Sequence, residues 1–139
     1  MTEFSGAPLH TRDDGPRDAP ALVILHGFVL SMHAWKPWAQ VPVGEYRVIR
    51  SDLPSTGLSR PDPTNEYTHA RSIALIFALM DRQGVLRATL TSNSLGGRIA
   101  WTFAAIDQER TDKLLLISSD GFASLGLEYG KVPDVPITL

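Results

Sequence analysis

The chain has 139 residues, a formal net charge of −2 with acids and bases interspersed, 43% apolar residues and no cysteine. That length allows one domain with its own core. The charge pattern offers no basic stripe for nucleic acid and no polybasic helix for a membrane, and without cysteine there is neither a disulfide framework nor a thiolate metal site. Met1 to Asp18 is polar and lacks an apolar signal core, and the longest apolar stretch, Ile73 to Met80, is far too short to span a bilayer. The expectation is a cytoplasmic protein with no membrane or nucleic-acid partner.

In chain order, Leu9 to Arg12 reads as a polar edge strand closed by the turn Asp14-Gly15-Pro16. Ala21 to Leu25 is a continuous apolar run ended by His26-Gly27, and Met32 to Gln40 is a helical segment interrupted by Pro37. Arg47 to Arg50 is a second run, ending in Asp52 and Pro54; Ser59 to Asn65 is a surface loop. Thr68 to Gln83 has a capping threonine, a following Gly84, and Ile73, Phe77 and Met80 at helical spacing. Ala88 to Thr91 is a third run and Arg98 to Ile106 another helix. Leu114 to Ile117 is a fourth run, ending in Ser118-Ser119-Asp120-Gly121. Short runs apolar on both faces suit buried parallel strands. Their alternation with helices predicts an α/β fold: a mostly parallel sheet with flanking helices and right-handed crossovers.

The segment Thr91-Ser92-Asn93-Ser94-Leu95-Gly96-Gly97 sits between the third run and a helix. A serine on a sharp strand-to-helix turn, flanked two positions away by small residues, has the pattern of a nucleophile elbow. In parallel sheets sites lie at the carboxyl ends of the strands. His26-Gly27-Phe28, Asp52-Leu53-Pro54, Ser94 and Asp120 all fall there.

Taken together, Leu25-His26-Gly27-Phe28, Asp52 to Ser59 and Asn93-Ser94-Leu95-Gly96-Gly97 resemble the α/β-hydrolase superfamily, in its esterase, carbon–carbon bond hydrolase and perhydrolase-like branch. The likeness runs from about Leu9 to Ser124 but covers only the first half of a family domain. It implies a single partial domain over 1–139, truncated before the last strands, with about 120–139 opening a lid or cap segment. Carried over by position, Ser94 would be the nucleophile, and the N–H groups of Leu95 and Phe28 would form the oxyanion hole. No cofactor or metal is implied. The serine at the elbow argues against the epoxide-hydrolase and dehalogenase branches, which carry aspartate there. A dinucleotide-binding alternative lacks the glycine spacing after the first apolar run.

Departures are confined to a few positions. Ser92 stands where the pattern has its first glycine, Ser55 replaces a glycine after Asp52-Leu53-Pro54, and Ile106-Asp107 replaces a His-Pro pair. A serine needs a base, and the resemblance puts the triad in the order serine, acid, histidine. His10, His26, His33 and His69 all precede Ser94, so the triad histidine is missing. His26 is assigned to shaping the oxyanion loop, and His33 and His69 to surface or helix-start positions. Asp120 is a candidate acid or else a turn aspartate; Asp52 caps its loop. Trp35, Trp38 and Phe28 either line an acyl pocket or pack. Two functions follow: a serine-dependent hydrolase of an ester, thioester or carbon–carbon bond in a small organic substrate, or a truncated, non-catalytic fragment or scaffold. The second would leave the fourth run as an unpaired edge, open to self-association.

Overall fold

The computed structural model describes residues 1–121 and the strand formed by 137–138. At the start, Thr2–Phe4 (β1) and Ala7–Leu9 (β2) form an antiparallel hairpin. Its two turn residues, Ser5 and Gly6, both have positive φ (46° and 82°), the twist that two-residue hairpins require. The expected strand over Leu9 to Arg12 is therefore two strands, with a break at His10. There the main chain leaves one sheet for the other: His10 N–H donates to Ser59 Oγ and its carbonyl accepts from Asp52 N–H. Thr11–Asp14 (β3) then pairs antiparallel with Arg47–Ser51 (β5).

The main sheet has six strands in the order β3-β5-β4-β6-β7-β8. Ala21–Leu25 (β4) lies in parallel between β5 and Ala88–Asn93 (β6), and β6 pairs in parallel with Thr111–Ile117 (β7). The edge of β7 is not bare. Leu114 and Leu115 pair with Ile137 and Thr138 of a two-residue strand, Ile137–Thr138 (β8), which corrects the expectation of an unpaired fourth run. The remainder of the expected lid segment lies outside the described residues.

Among the described residues, three longer helical stretches flank the sheet, with short 3-10 turns at Pro42–Gly44 and Gln108–Arg110. Met32 to Gln40 is not one helix but a tight 3-10 turn, Met32–Trp35, followed by Lys36–Ala39 (α1). Pro37 sits in the first turn of α1, where a missing N–H costs nothing. His69–Arg82 (α2) starts at Thr68, whose hydroxyl accepts Arg71 N–H at 3.1 Å, and stops before Gly84 at φ +65°. Leu95–Ile106 (α3) begins three residues earlier than its apolar spacing suggests, because Gly96 and Gly97 lower the propensity signal exactly where packing needs them. A side chain at Gly96 would put its Cβ 2.6 Å from the His26 carbonyl oxygen and 2.7 Å from that of Leu25. The helix can thus lie directly on the end of β4.

Alternation along the strands splits the core. Val23, Leu25, Ile49, Leu90, Leu114 and Leu116 face α2 and α3, where the Phe77 and Phe103 rings stack at 4.2 Å. Ile24 and Val48 face the other way, onto Trp35 and Ala39. Among the described residues, that second face is covered near β4 and β5. Beyond them an apolar cavity of about 630 Å³ opens over Leu22, Thr89, Thr91 and Leu115. No helix among the described residues is long and apolar enough to cross a membrane.

Candidate active site

Ser94 sits at the junction of β6 and α3 with φ 48° and ψ −121°. A non-glycine residue held there stores strain on the order of 1–3 kcal/mol. The surroundings enforce it from two sides. Ser94 N–H donates to the Ile117 carbonyl at 3.1 Å, and the Ser94 carbonyl accepts from Arg98 and Asp120 N–H. Although Ser94 precedes α3, its hydroxyl makes no capping bond to the helix. The side chain is left half-buried and unengaged among the described residues, at the positive end of the helix.

The His26-Gly27-Phe28 loop lies against this turn. A Cβ at Gly27 would be 3.2 Å from Ser94 Cβ and 3.0 Å from Asn93 Nδ2. His26 holds the loop from inside. Its Nε2 accepts Leu53 N–H at 3.0 Å, so Nδ1 carries the proton and donates to the Gly27 carbonyl at 2.7 Å. Burial pushes the His26 pKa below its ordinary value, against the Gly27 hydrogen bond and the Asp52 charge. The neutral ring is therefore occupied at both nitrogens. After it the chain turns at Val29, φ 51°, and leaves Phe28, Val29 and Leu30 exposed.

Asp52 anchors the neighbouring loop. Its carboxylate is fully buried, with Oδ1 accepting Met32 N–H at 2.6 Å and Oδ2 taking Leu58 N–H at 3.0 Å and His10 Nδ1 at 2.9 Å. Burial works to raise its pKa, but the Leu58 and Met32 N–H groups and the His10 ring outweigh it and hold the carboxyl below its usual range. Gly57, at φ +51°, is required because a Cβ there would collide with this carboxylate. Ser55 adopts φ 61° where the family pattern has glycine, so the loop keeps a left-handed residue without one. The His10 contribution was missed in the sequence, since no motif marks a histidine between two short strands.

The other candidates are dispersed. Asp120 is exposed, and its Oδ1 accepts Gly121 N–H at 2.7 Å. His69 opens α2 and its Nε2 meets Thr102 Oγ1 at 3.0 Å; burial and then Arg98 depress its pKa. His33 is exposed and stacks on His10 at 6.0 Å. Trp35 and Trp38 meet edge to face at 6.1 Å and border the apolar cavity on the far side of the sheet. That cavity is not lined by Ser94; Trp35 is buried against Ile24 and Val48, while Trp38 is 59% exposed at the cavity rim. Ser92 is fully buried and its hydroxyl has no hydrogen-bond partner among the described residues. Its φ is not positive, so the backbone at this step does not demand the glycine of the pattern. No group of three or more metal-ligating side chains occurs among the described residues.

A mostly parallel sheet with a strained serine between strand and helix, and a glycine loop packed against that serine, is the layout of the α/β-hydrolase fold. The chain belongs to the alpha/beta hydrolase fold family, whose family model matches residues 20–133. It is 32% identical over 115 residues to mouse epoxide hydrolase 4, covering 82% of this chain and 32% of that protein. It is also 32% identical over 129 residues to the 2-hydroxy-6-oxononadienedioate/2-hydroxy-6-oxononatrienedioate hydrolase of Comamonas testosteroni, covering 87% and 43% of the two. A solved hydrolase from Pseudomonas aeruginosa superposes with a TM-score of 0.80 at 28% identity, covering 88% of this chain and 46% of that one. The chain spans less than half the length of each of these relatives.

Proposed function

We propose that these residues supply the nucleophile and oxyanion half of a serine hydrolase acting on an ester, thioester or carbon–carbon bond of a small organic substrate. The observation that carries this is Ser94 itself: φ 48° at a strand–helix junction, with the Gly27 main chain against its Cβ and its hydroxyl uncommitted. Ser94 Oγ would attack the substrate carbonyl. The charge that develops on the carbonyl oxygen would be taken up by the N–H groups of Leu95 and Phe28. Losing one such donor costs about 3–4 kcal/mol of barrier. A hydroxyl also needs a base to take its proton. The four histidines of this chain are placed elsewhere, so that base and its acid would be contributed by residues outside it. The relatives include both a carbon–carbon bond hydrolase and epoxide hydrolases. The elbow serine favours the acyl-transfer chemistry of the former.

The test is hydrolysis of a panel of p-nitrophenyl acyl esters by the longest natural polypeptide that contains these residues. Ser94→Ala is expected to abolish turnover. An unchanged rate in that variant overturns the assignment.

A second reading is that the 139-residue chain by itself is a non-catalytic scaffold. It is favoured by the absence of any histidine paired with Ser94 among the described residues and by the apolar cavity that those residues leave on one sheet face. A serine-directed fluorophosphonate separates the two: stoichiometric labelling of Ser94 in this chain counts against the scaffold, and absence of labelling for it.

A further inference from the structure

On the sheet face opposite α2 and α3, a second cavity of about 400 Å³ is bordered by Arg12 and Asp14 of β3, Arg50 of β5 and Lys36 of α1, with Ala39 and Val43 adding apolar wall. Register explains the gathering. Arg12 lies opposite Arg50 across the antiparallel pair, so their side chains share a face. The 3-10 turn and α1 then bring Lys36 over that face.

Three cations meet one carboxylate here, a surplus of two positive charges. Asp14 is shared: Oδ2 accepts Arg50 Nη2 at 2.7 Å, while Oδ1 receives Arg12 Nη2 at a long 3.4 Å. Burial works to raise the Asp14 pKa, but Arg50 and Arg12 hold it below the usual range, so the carboxylate stays charged. Lys36 has no ion-pair partner among the described residues. Arg50 is the telling group. Its side chain is only 8% exposed, yet its Nε–H has no hydrogen-bond partner among the described residues. A buried guanidinium normally satisfies its donors. A bound anion would complete it.

We propose that this cavity binds a small phosphomonoester, with the dianionic phosphate on Arg12, Lys36 and Arg50 and the organic part against Ala39 and Val43. Two surplus charges match a dianion, and guanidinium forks match tetrahedral and planar oxyanions better than a lone ammonium does. The volume lies at the small end of ligand pockets, which run roughly 300–1,000 Å³. It exceeds what bare phosphate fills. The site is built wholly from residues between 12 and 50, at the β3 end of the sheet, and does not depend on Ser94.

The test is isothermal titration of the 139-residue chain with inorganic phosphate, phenyl phosphate and succinate, at constant ionic strength in chloride. Phenyl phosphate is expected to bind tightest, with one site per chain. Lys36→Gln and Arg12→Gln, both at exposed positions, should each weaken it about tenfold, the loss of one charge-assisted contact. Arg50→Met should remove binding, and Ser94→Ala should leave it unchanged. No saturable heat with phenyl phosphate, an affinity unchanged from the native chain in both glutamine variants, or succinate binding more tightly than either phosphate overturns the proposal.

Discussion

Replacing Asp52 by asparagine removes the charge that ties three loops together while nearly preserving shape. In the native protein one oxygen holds Met32 N–H at 2.6 Å, and the other holds Leu58 N–H at 3.0 Å and the His10 ring at 2.9 Å. An asparagine keeps one acceptor. Oriented to keep Met32, it points an NH₂ group at Leu58 N–H, donor against donor. A hydrogen bond to a charged group contributes about 1.5–3 kcal/mol. One such bond is lost and a second loses its charge assistance, so the expected destabilisation is about 3 kcal/mol. In urea, with a slope of about 1.5–2 kcal/mol/M, the midpoint should fall by about 1.5–2 M with the slope unchanged. Acid provides an independent check. The folded pKa of Asp52 is depressed, so its contribution is complete above about pH 4 and is lost as pH falls through the folded value. The gap between native protein and variant should therefore narrow on acidification. A loss under about 1 kcal/mol, or a gap that widens in acid, would refute the anchoring role.

Two further outcomes are expected. Ser92→Ala removes a buried hydroxyl without a partner and should leave stability unchanged or raise it by about 1 kcal/mol, read from thermal melting; a clear loss would mean that the hydroxyl is satisfied after all. Asp62, with its side chain fully buried against Arg71 at 2.7 Å, has its pKa lowered to about 2, chiefly by that guanidinium. Its stabilisation should be complete above about pH 4 and disappear as pH falls through about 2, and carbon-detected NMR titration of Arg71→Ala should show the Asp62 carboxyl titrating higher.

The sheet was legible because buried parallel strands announce themselves as apolar runs. Ala21–Leu25 matches its run residue for residue. The elbow was legible because Gly96 has to be small for α3 to reach β4, a constraint that leaves a mark in the sequence. What stayed hidden depends on contacts between distant segments. The break at His10 is set by Ser59 and Asp52, more than forty positions away, and leaves no local trace. The 3-10 turn at Met32–Trp35 is likewise fixed by Met32 N–H donating to Asp52, so periodicity over Met32 to Gln40 suggests a longer helix than forms. Nor could spacing place Trp35 and Trp38, which the 3-10 turn and α1 carry onto the sheet face opposite α2 and α3.

The loop around Gly27 and the first turn of α3 meet beside Ser94, with Gly96 against the His26 carbonyl and Gly27 against Ser94 Cβ and the Asn93 amide. If Phe28 and Leu95 serve through their amides, the side chains at those positions carry no part of the charge stabilisation. Phe28 is 71% exposed. On the proposed reading, a change of that side chain would alter the surface met by a substrate without moving the amide that carries the charge. One backbone could in this way pass from substrate to substrate by small steps, each leaving the reacting groups where they were.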